Sequence, residues 1–123
     1  MPKHILVVED ERMTARLLVY RLKAQGHKVE HKEDGIDGLE YIKEHQPDIL
    51  VLDVMLPGMS GFEILENLKD EKFDLSKTKV IMLSTKSRAE DISRGFKLGA
   101  VEYLPKPFKM DEFLLRLNRM IEE

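Results

Sequence analysis

The chain has 123 residues, which suits one compact domain spanning residues 1–123 and leaves no room for two. It contains no cysteine, so disulfides, thiolate metal sites and a thiol nucleophile are excluded, and a reducing compartment fits. Its net charge is −3 with both signs interspersed, without the basic stripe that a nucleic-acid surface normally shows.

Met1-Pro2-Lys3-His4 leads into the apolar run Ile5-Leu6-Val7-Val8, which is too short for a signal-peptide core or a membrane span. No membrane contact and a cytoplasmic location are therefore expected. The run itself predicts a strand covered on both faces. Ala15, Leu18, Val19 and Leu22 then fall on one helix face, and Gly26 is a plausible stop. Lys28-Val29-Glu30-His31 has one apolar residue among polar ones, as an edge strand does. Leu39 and Ile42 mark a short helix that ends before Pro47. Ile49-Leu50-Val51-Leu52 is a second buried strand and ends at Asp53, followed by a turn-rich loop over Pro57-Gly58-Met59-Ser60-Gly61. Ile64, Leu65 and Leu68 mark a third helix, and Val80-Ile81-Met82-Leu83 a strand ending at Ser84. Ile92, Gly95 and Phe96 lie on a fourth helix closed by Gly99. Val101 to Leu104 reads as the last strand, and Phe113, Leu114, Leu117, Met120 and Ile121 as the apolar face of a terminal helix.

Five βα units in succession predict an α/β fold with a five-stranded parallel sheet and helices on both faces. The polar second strand belongs at an edge, which supports the flavodoxin-like strand order 2-1-3-4-5. Open sheets of this kind bind ligands at the carboxyl ends of their strands. Glu9 and Asp10 follow the first strand, Asp53 ends the third, Ser84 ends the fourth and Lys106 follows the fifth. Each has a plain reading alone: a solvated acidic pair, a loop cap, a structural serine, a surface cation. Their convergence at one end of four strands argues for a site.

Three close carboxylates repel each other unless a cation offsets them. Oxygen ligation without His or Cys points to Mg²⁺ first and Mn²⁺ second. Asp10 and Asp53 are the expected direct ligands, the backbone carbonyl near Met55 a third, and Glu9 acts through water. Asp53 is the expected nucleophile, forming an aspartyl-phosphate, with Lys106 supplying positive charge and Ser84 a hydroxyl to the phosphate. Two other classes compete. A phosphatase with an aspartyl nucleophile needs a second Asp two residues on, where this chain has Met55. A flavin carrier on this fold needs a Ser/Thr/Gly-rich loop after the first strand, where this chain has Glu9-Asp10-Glu11.

From about Lys3 to Ile121 the sequence resembles the receiver domains of bacterial two-component response regulators. The matching motifs are Val7-Val8-Glu9-Asp10-Glu11; Asp48 to Asp53 with Met55-Leu56-Pro57-Gly58-Met59-Ser60-Gly61; Ile81-Met82-Leu83-Ser84; Leu98-Gly99-Ala100; and Tyr103-Leu104-Pro105-Lys106-Pro107-Phe108. The resemblance implies a signalling switch rather than an enzyme turning over a separate substrate. Asp53 would be charged by a sensor histidine kinase in a Mg²⁺-dependent reaction. Asp10, Asp53 and the Met55 carbonyl would hold the metal, with Glu9 in its outer sphere. Ser84, Thr85 and Lys106 would contact the phosphate, and Ser84 and Tyr103 would form the switch, Tyr103 at the aromatic switch position; without the resemblance Tyr103 reads as a ring half-packed on the last strand, and both readings can hold at once. A cis Lys106–Pro107 bond is also implied. The output surface would be the fourth helix, last strand and fifth helix, with Lys86, Glu90, Arg94, Lys97 and Arg116 as exposed candidates. It would be read by an effector protein, or by a C-terminal effector domain absent from this chain, and no nucleic-acid contact by the chain itself is implied. A phosphorylation-dependent homodimer belongs to the same pattern.

Three positions depart from that pattern. Ser84 stands where Thr is commonest and keeps the hydroxyl. Thr85 stands where a small residue is usual, which narrows access to the phosphate. Val101 stands where one DNA-binding subfamily carries an acidic residue used in a symmetric dimer, although Arg94 and Arg116 fit that subfamily's basic positions. Met55 and Lys86 occupy the positions beside the path of a hydrolytic water, and slow self-dephosphorylation is expected from them.

Overall fold

The computed structural model describes residues 2–122, and within them strands and helices alternate strictly. In chain order they are β1 (His4–Val8), α1 (Arg12–Ala24), β2 (Lys28–Lys32), α2 (Gly35–His45), β3 (Ile49–Asp53), α3 (Gly61–Asp70), β4 (Lys79–Ser84), α4 (Ala89–Lys97), β5 (Glu102–Pro105) and α5 (Met110–Glu122). The strands form one sheet in the order β2-β1-β3-β4-β5, every pairing parallel. This is the predicted architecture, and β2 lies at the predicted edge, paired with β1 alone.

The central strands β1, β3 and β4 carry the apolar runs Ile5–Val8, Ile49–Leu52 and Val80–Leu83 because both faces of the sheet are covered there. Alternate side chains go to opposite cores. Ile5, Val7, Val51, Ile81 and Leu83 pack with Leu18 and Leu22 of α1 and with Phe113 and Leu117 of α5. Leu6, Val8, Leu50, Leu52 and Met82 pack on the other side with Leu39 and Ile42 of α2 and Ile64, Leu65 and Leu68 of α3. Burying each such side chain stabilises the fold by about 1.5–3 kcal/mol.

Local chemistry sets the element ends near the site. Glu11 caps α1, its carboxylate accepting the N–H groups of Met13 (3.3 Å) and Thr14 (2.7 Å). Ser60 and Glu63 form a reciprocal capping box at the start of α3. Gly61 follows at a point where a Cβ would lie 2.4 Å from the Asp53 carbonyl oxygen, so only glycine lets α3 begin directly behind β3.

The last strand differs by one residue from its expected span. Gly99 takes φ +113° to leave α4, and Val101 is still completing that turn, its N–H on the Val80 carbonyl at 2.7 Å. A short 3₁₀ turn at Leu75–Lys77 has no sequence periodicity to reveal it. The buried Thr78 after it donates its hydroxyl to the Pro47 carbonyl at 2.6 Å.

Candidate functional site

The sheet register fixes which residues meet at the carboxyl edge. Val8 lies beside Leu52, so Glu9 and Asp53 leave neighbouring strands side by side. Ser84 lies beside Pro105, and the Lys106 N–H reaches the Ser84 carbonyl at 2.7 Å. The Lys106–Pro107 peptide is cis, as the resemblance implied.

Lys106 is the hub of the site. Its Nζ donates to Glu9 Oε1 at 2.7 Å and to Asp53 Oδ2 at 2.9 Å. Asp53 Oδ1 accepts the Met55 N–H at 3.1 Å, and Glu9 Oε2 accepts the Glu11 N–H at 3.1 Å. Glu9 and Asp53 are 1% and 5% exposed, which makes them unusual among carboxylates and ties their charge to these partners. Asp10 faces solvent.

Burial pushes the Glu9 carboxyl up to about 7, with the Asp53 charge adding to the rise and the Lys106 and Glu11 hydrogen bonds opposing it. For Lys106, burial works against the charged form, but the hydrogen bonds it donates to Glu9 and Asp53, with their negative charge, outweigh burial and raise its pKa. Ligand oxygens of Glu9, Asp10 and Asp53 all lie within 4.8 Å of one another. Three carboxylates against one ammonium leave an excess of negative charge in a cluster of hard oxygens. That donor set can hold a hard divalent cation, and exposed Asp10 leaves a side open to water.

The other predicted residues lie around this centre. Ser84 is fully buried and its Oγ accepts the Lys86 N–H at 2.9 Å. Thr85 and Met55 are exposed and touch across the rim, the Thr85 hydroxyl 3.7 Å from the Met55 sulfur. Tyr103 is 4% exposed, so its ring is fully rather than half packed, and its hydroxyl donates to the Lys86 carbonyl at 2.6 Å. Burial raises the Tyr103 pKa, with the Ser84 hydroxyl opposing. Of the surface candidates, Lys86, Glu90, Arg94 and Lys97 are exposed. Arg94 bonds Glu66 at 3.1 Å and lies over the Phe62 ring. Arg116 is half-buried between Glu102 and Glu112, each at 3.1 Å, so it is less available than its sequence position suggested.

A cleft of about 620 Å³ adjoins the acids, with Asp10, Met55, Phe62, Lys86 and Arg94 on its walls. Two contributors were not singled out from sequence. His31 bonds the Glu9 carbonyl through Nε2 at 2.8 Å and holds the first loop. Gly35 lets α2 abut the loop after Asp53, since a Cβ there would meet the Met59 carbonyl oxygen at 1.8 Å. Neither His31 in a polar strand nor Gly35 at a helix start carries a local signal of that contact.

Comparisons with known proteins agree with this geometry. Residues 5–118 match the family described as the response regulator receiver domain. The uncharacterized transcriptional regulatory protein YkoG of Bacillus subtilis is 40% identical over 120 residues, covering 98% of this chain and 51% of that protein. Response regulator MprA of Mycobacterium sp. (strain KMS) is 36% identical over 121 residues, covering 98% and 51%. The chain thus spans about half the length of these relatives. Among solved structures, the non-phosphorylated HemR receiver domain of Leptospira biflexa superposes with a TM-score of 0.89 at 34% identity, covering 100% of this chain and 96% of that one. The beryllofluoride-activated DrrB receiver domain superposes with a TM-score of 0.87 at 34% identity, both chains covered completely.

Proposed function

The chain belongs to the response regulator receiver domain family, and on that premise we propose that it is a phosphorylation-dependent switch with Asp53 as acceptor. The observation that carries the reading is the pair of hydrogen bonds that Lys106 donates to Asp53 and Glu9 at the carboxyl edge of the sheet. A cation is already in place where a dianionic group would arrive.

In the proposed reaction an Asp53 oxygen attacks the phosphorus of a phosphohistidine on a sensor histidine kinase. The new O–P bond forms as the P–N bond breaks, and the imidazole leaves. Mg²⁺, or Mn²⁺ in its place, held by Asp10, Asp53 and the Met55 carbonyl with Glu9 in support, would supply further positive charge to the phosphoryl oxygens. Lys106 is positioned to turn from a carboxylate to the phosphate. Ser84 gives its hydroxyl, and Thr85 and Met55 form the rim. The Met55 N–H holds Asp53 in orientation at 3.1 Å. Self-dephosphorylation is the slow reversal of the signal, and there is no separate substrate to turn over. An effector protein, or an effector region elsewhere in a longer protein, would read the α4–β5–α5 surface in the cytoplasm, and a phosphorylation-dependent homodimer is one form of that readout.

The switch is tested by amide shifts on adding beryllofluoride, a phosphoryl mimic, with Mg²⁺. Shifts are expected at the acids and also across α4, β5 and α5, because Tyr103 and Lys86 link Ser84 to that surface. Shifts confined to the loops around Asp53 would contradict a switch there.

A second expectation follows from Glu9. Its folded-state pKa of about 7 lies above the ordinary glutamate value of 4.5. Its contribution to stability is therefore full below about 4.5 and is lost as pH rises through about 7. Bound metal favours the ionised cluster and opposes that loss. Saturating Mg²⁺ should thus raise the melting temperature more at about pH 8 than at about pH 6. Thermal melts at both values check this, and an equal or larger Mg²⁺ effect at the lower pH would contradict it.

A further inference from the structure

Gly95 is the buried residue of α4; the rest of that helix is half-buried or exposed. Glycine is a poor helix former, so its place inside the last turn of α4 calls for a steric reason. A Cβ at Gly95 would lie 2.8 Å from Cδ2 and 3.0 Å from Cε2 of Tyr103, and 3.2 Å from the Met82 sulfur. The sulfur contact is the longer one and needs Met82 to give by only a few tenths of an ångström. The ring is flat, 4% exposed and tied at its far end to the Lys86 carbonyl, so it can yield only by moving as a unit.

We propose that Gly95 is a positioning residue, the seat that admits Tyr103 to its inward position and thereby couples the acceptor site to the α4 surface. The coupling half rests on the phosphorylation reading above; the seat itself does not. The contacts run without a break. The Tyr103 ring lies against Gly95, and its hydroxyl bonds the Lys86 carbonyl at 2.6 Å. The Lys86 N–H bonds Ser84 Oγ at 2.9 Å, and Ser84 ends the strand beside Asp53's own. At the other end of this link, Arg88 stands at the N-cap of α4 without a side-chain capping hydrogen bond and pairs with Glu90 and Asp91 of the first turn instead. A helix whose only buried residue is Gly95, with Ile92 half-buried beside it, can shift as the contact at Gly95 changes.

The test uses 3-fluorotyrosine protein, with the Tyr103 resonance assigned by its loss in Tyr103→Phe. In the wild type that resonance should be protected from a soluble paramagnetic agent. In Gly95→Ala its relaxation should rise several-fold as the ring moves outward. Beryllofluoride affinity should change by less than about twofold, since Gly95 touches none of the acids, while the α4 amide response should be lost. A ring that stays protected in Gly95→Ala, or an α4 response that persists, would overturn the proposal. If the wild type failed to bind beryllofluoride, the phosphorylation reading and the coupling half would fall together, and ring protection would still decide the seat.

A double-mutant cycle guards against simple misfolding. Gly95→Ala should lower the melting temperature in the wild type. With the ring removed in Tyr103→Ala it should instead raise it by about 2–4 °C, because alanine then favours the helix without a clash. Equal lowering in both backgrounds would show that the ring is not what Gly95 accommodates.

Discussion

Asp53→Asn is expected to reduce phosphoryl uptake from acetyl phosphate and Mg²⁺ to background, while the wild type gains one acid-stable, base-labile phosphoryl group. The amide cannot act as the nucleophile, and it also removes a negative charge from the proposed metal ligands. The substitution should leave the fold intact. Asn retains an oxygen to accept the Met55 N–H, and Lys106 keeps its 2.7 Å bond to Glu9. Removing one of the three clustered carboxylates also relieves repulsion, so the melting temperature should hold or rise. Intact-mass measurement checks the uptake and circular dichroism the fold. Undiminished labelling in a folded Asp53→Asn protein would remove Asp53 from its assigned role.

Met55→Asn is expected to shorten the lifetime of the phosphorylated state by roughly tenfold, the equivalent of about one well-placed hydrogen bond in the transition state. Hydrolysis needs a water in line with the O–P bond. In the wild type the thioether offers that water no useful hydrogen bond. Met55 also meets the Thr85 hydroxyl across the rim, so the two side chains narrow the approach together. An asparagine carboxamide is shorter, loses that contact and can orient a water. Decay is followed after donor removal, in wild type and variant side by side. A wild-type lifetime equal to or shorter than that of Met55→Asn would show that the rim does not set the rate.

Much of this site was legible because it is built on strand ends. The runs Ile5–Val8, Ile49–Leu52 and Val80–Leu83 are apolar at every position, so the polar residue that ends each run stands out, and a parallel sheet must align those ends. The edge character of β2 then sets the strand order. What the sequence did not reveal depends on side-chain packing across long separations. The burial of Tyr103 follows from the space left by Gly95 on another element. The pairing of Arg116 with Glu102 needs the register of β5 against α5, which no local pattern encodes. Glu11 directly follows the acidic pair in sequence, and its carboxylate caps α1. Val101 looks like strand by β-propensity, yet the turn at Gly99 delays the strand by one residue.

The most direct test is to locate the phosphoryl group chemically. Borohydride reduces an aspartyl-phosphate to homoserine, marking the residue that carried it. After treatment with acetyl phosphate and Mg²⁺ followed by borohydride, peptide sequencing by mass spectrometry should find homoserine at position 53 and no reduction at Asp10. Reduction at another residue, or a phosphoryl group retained after borohydride, would contradict the account.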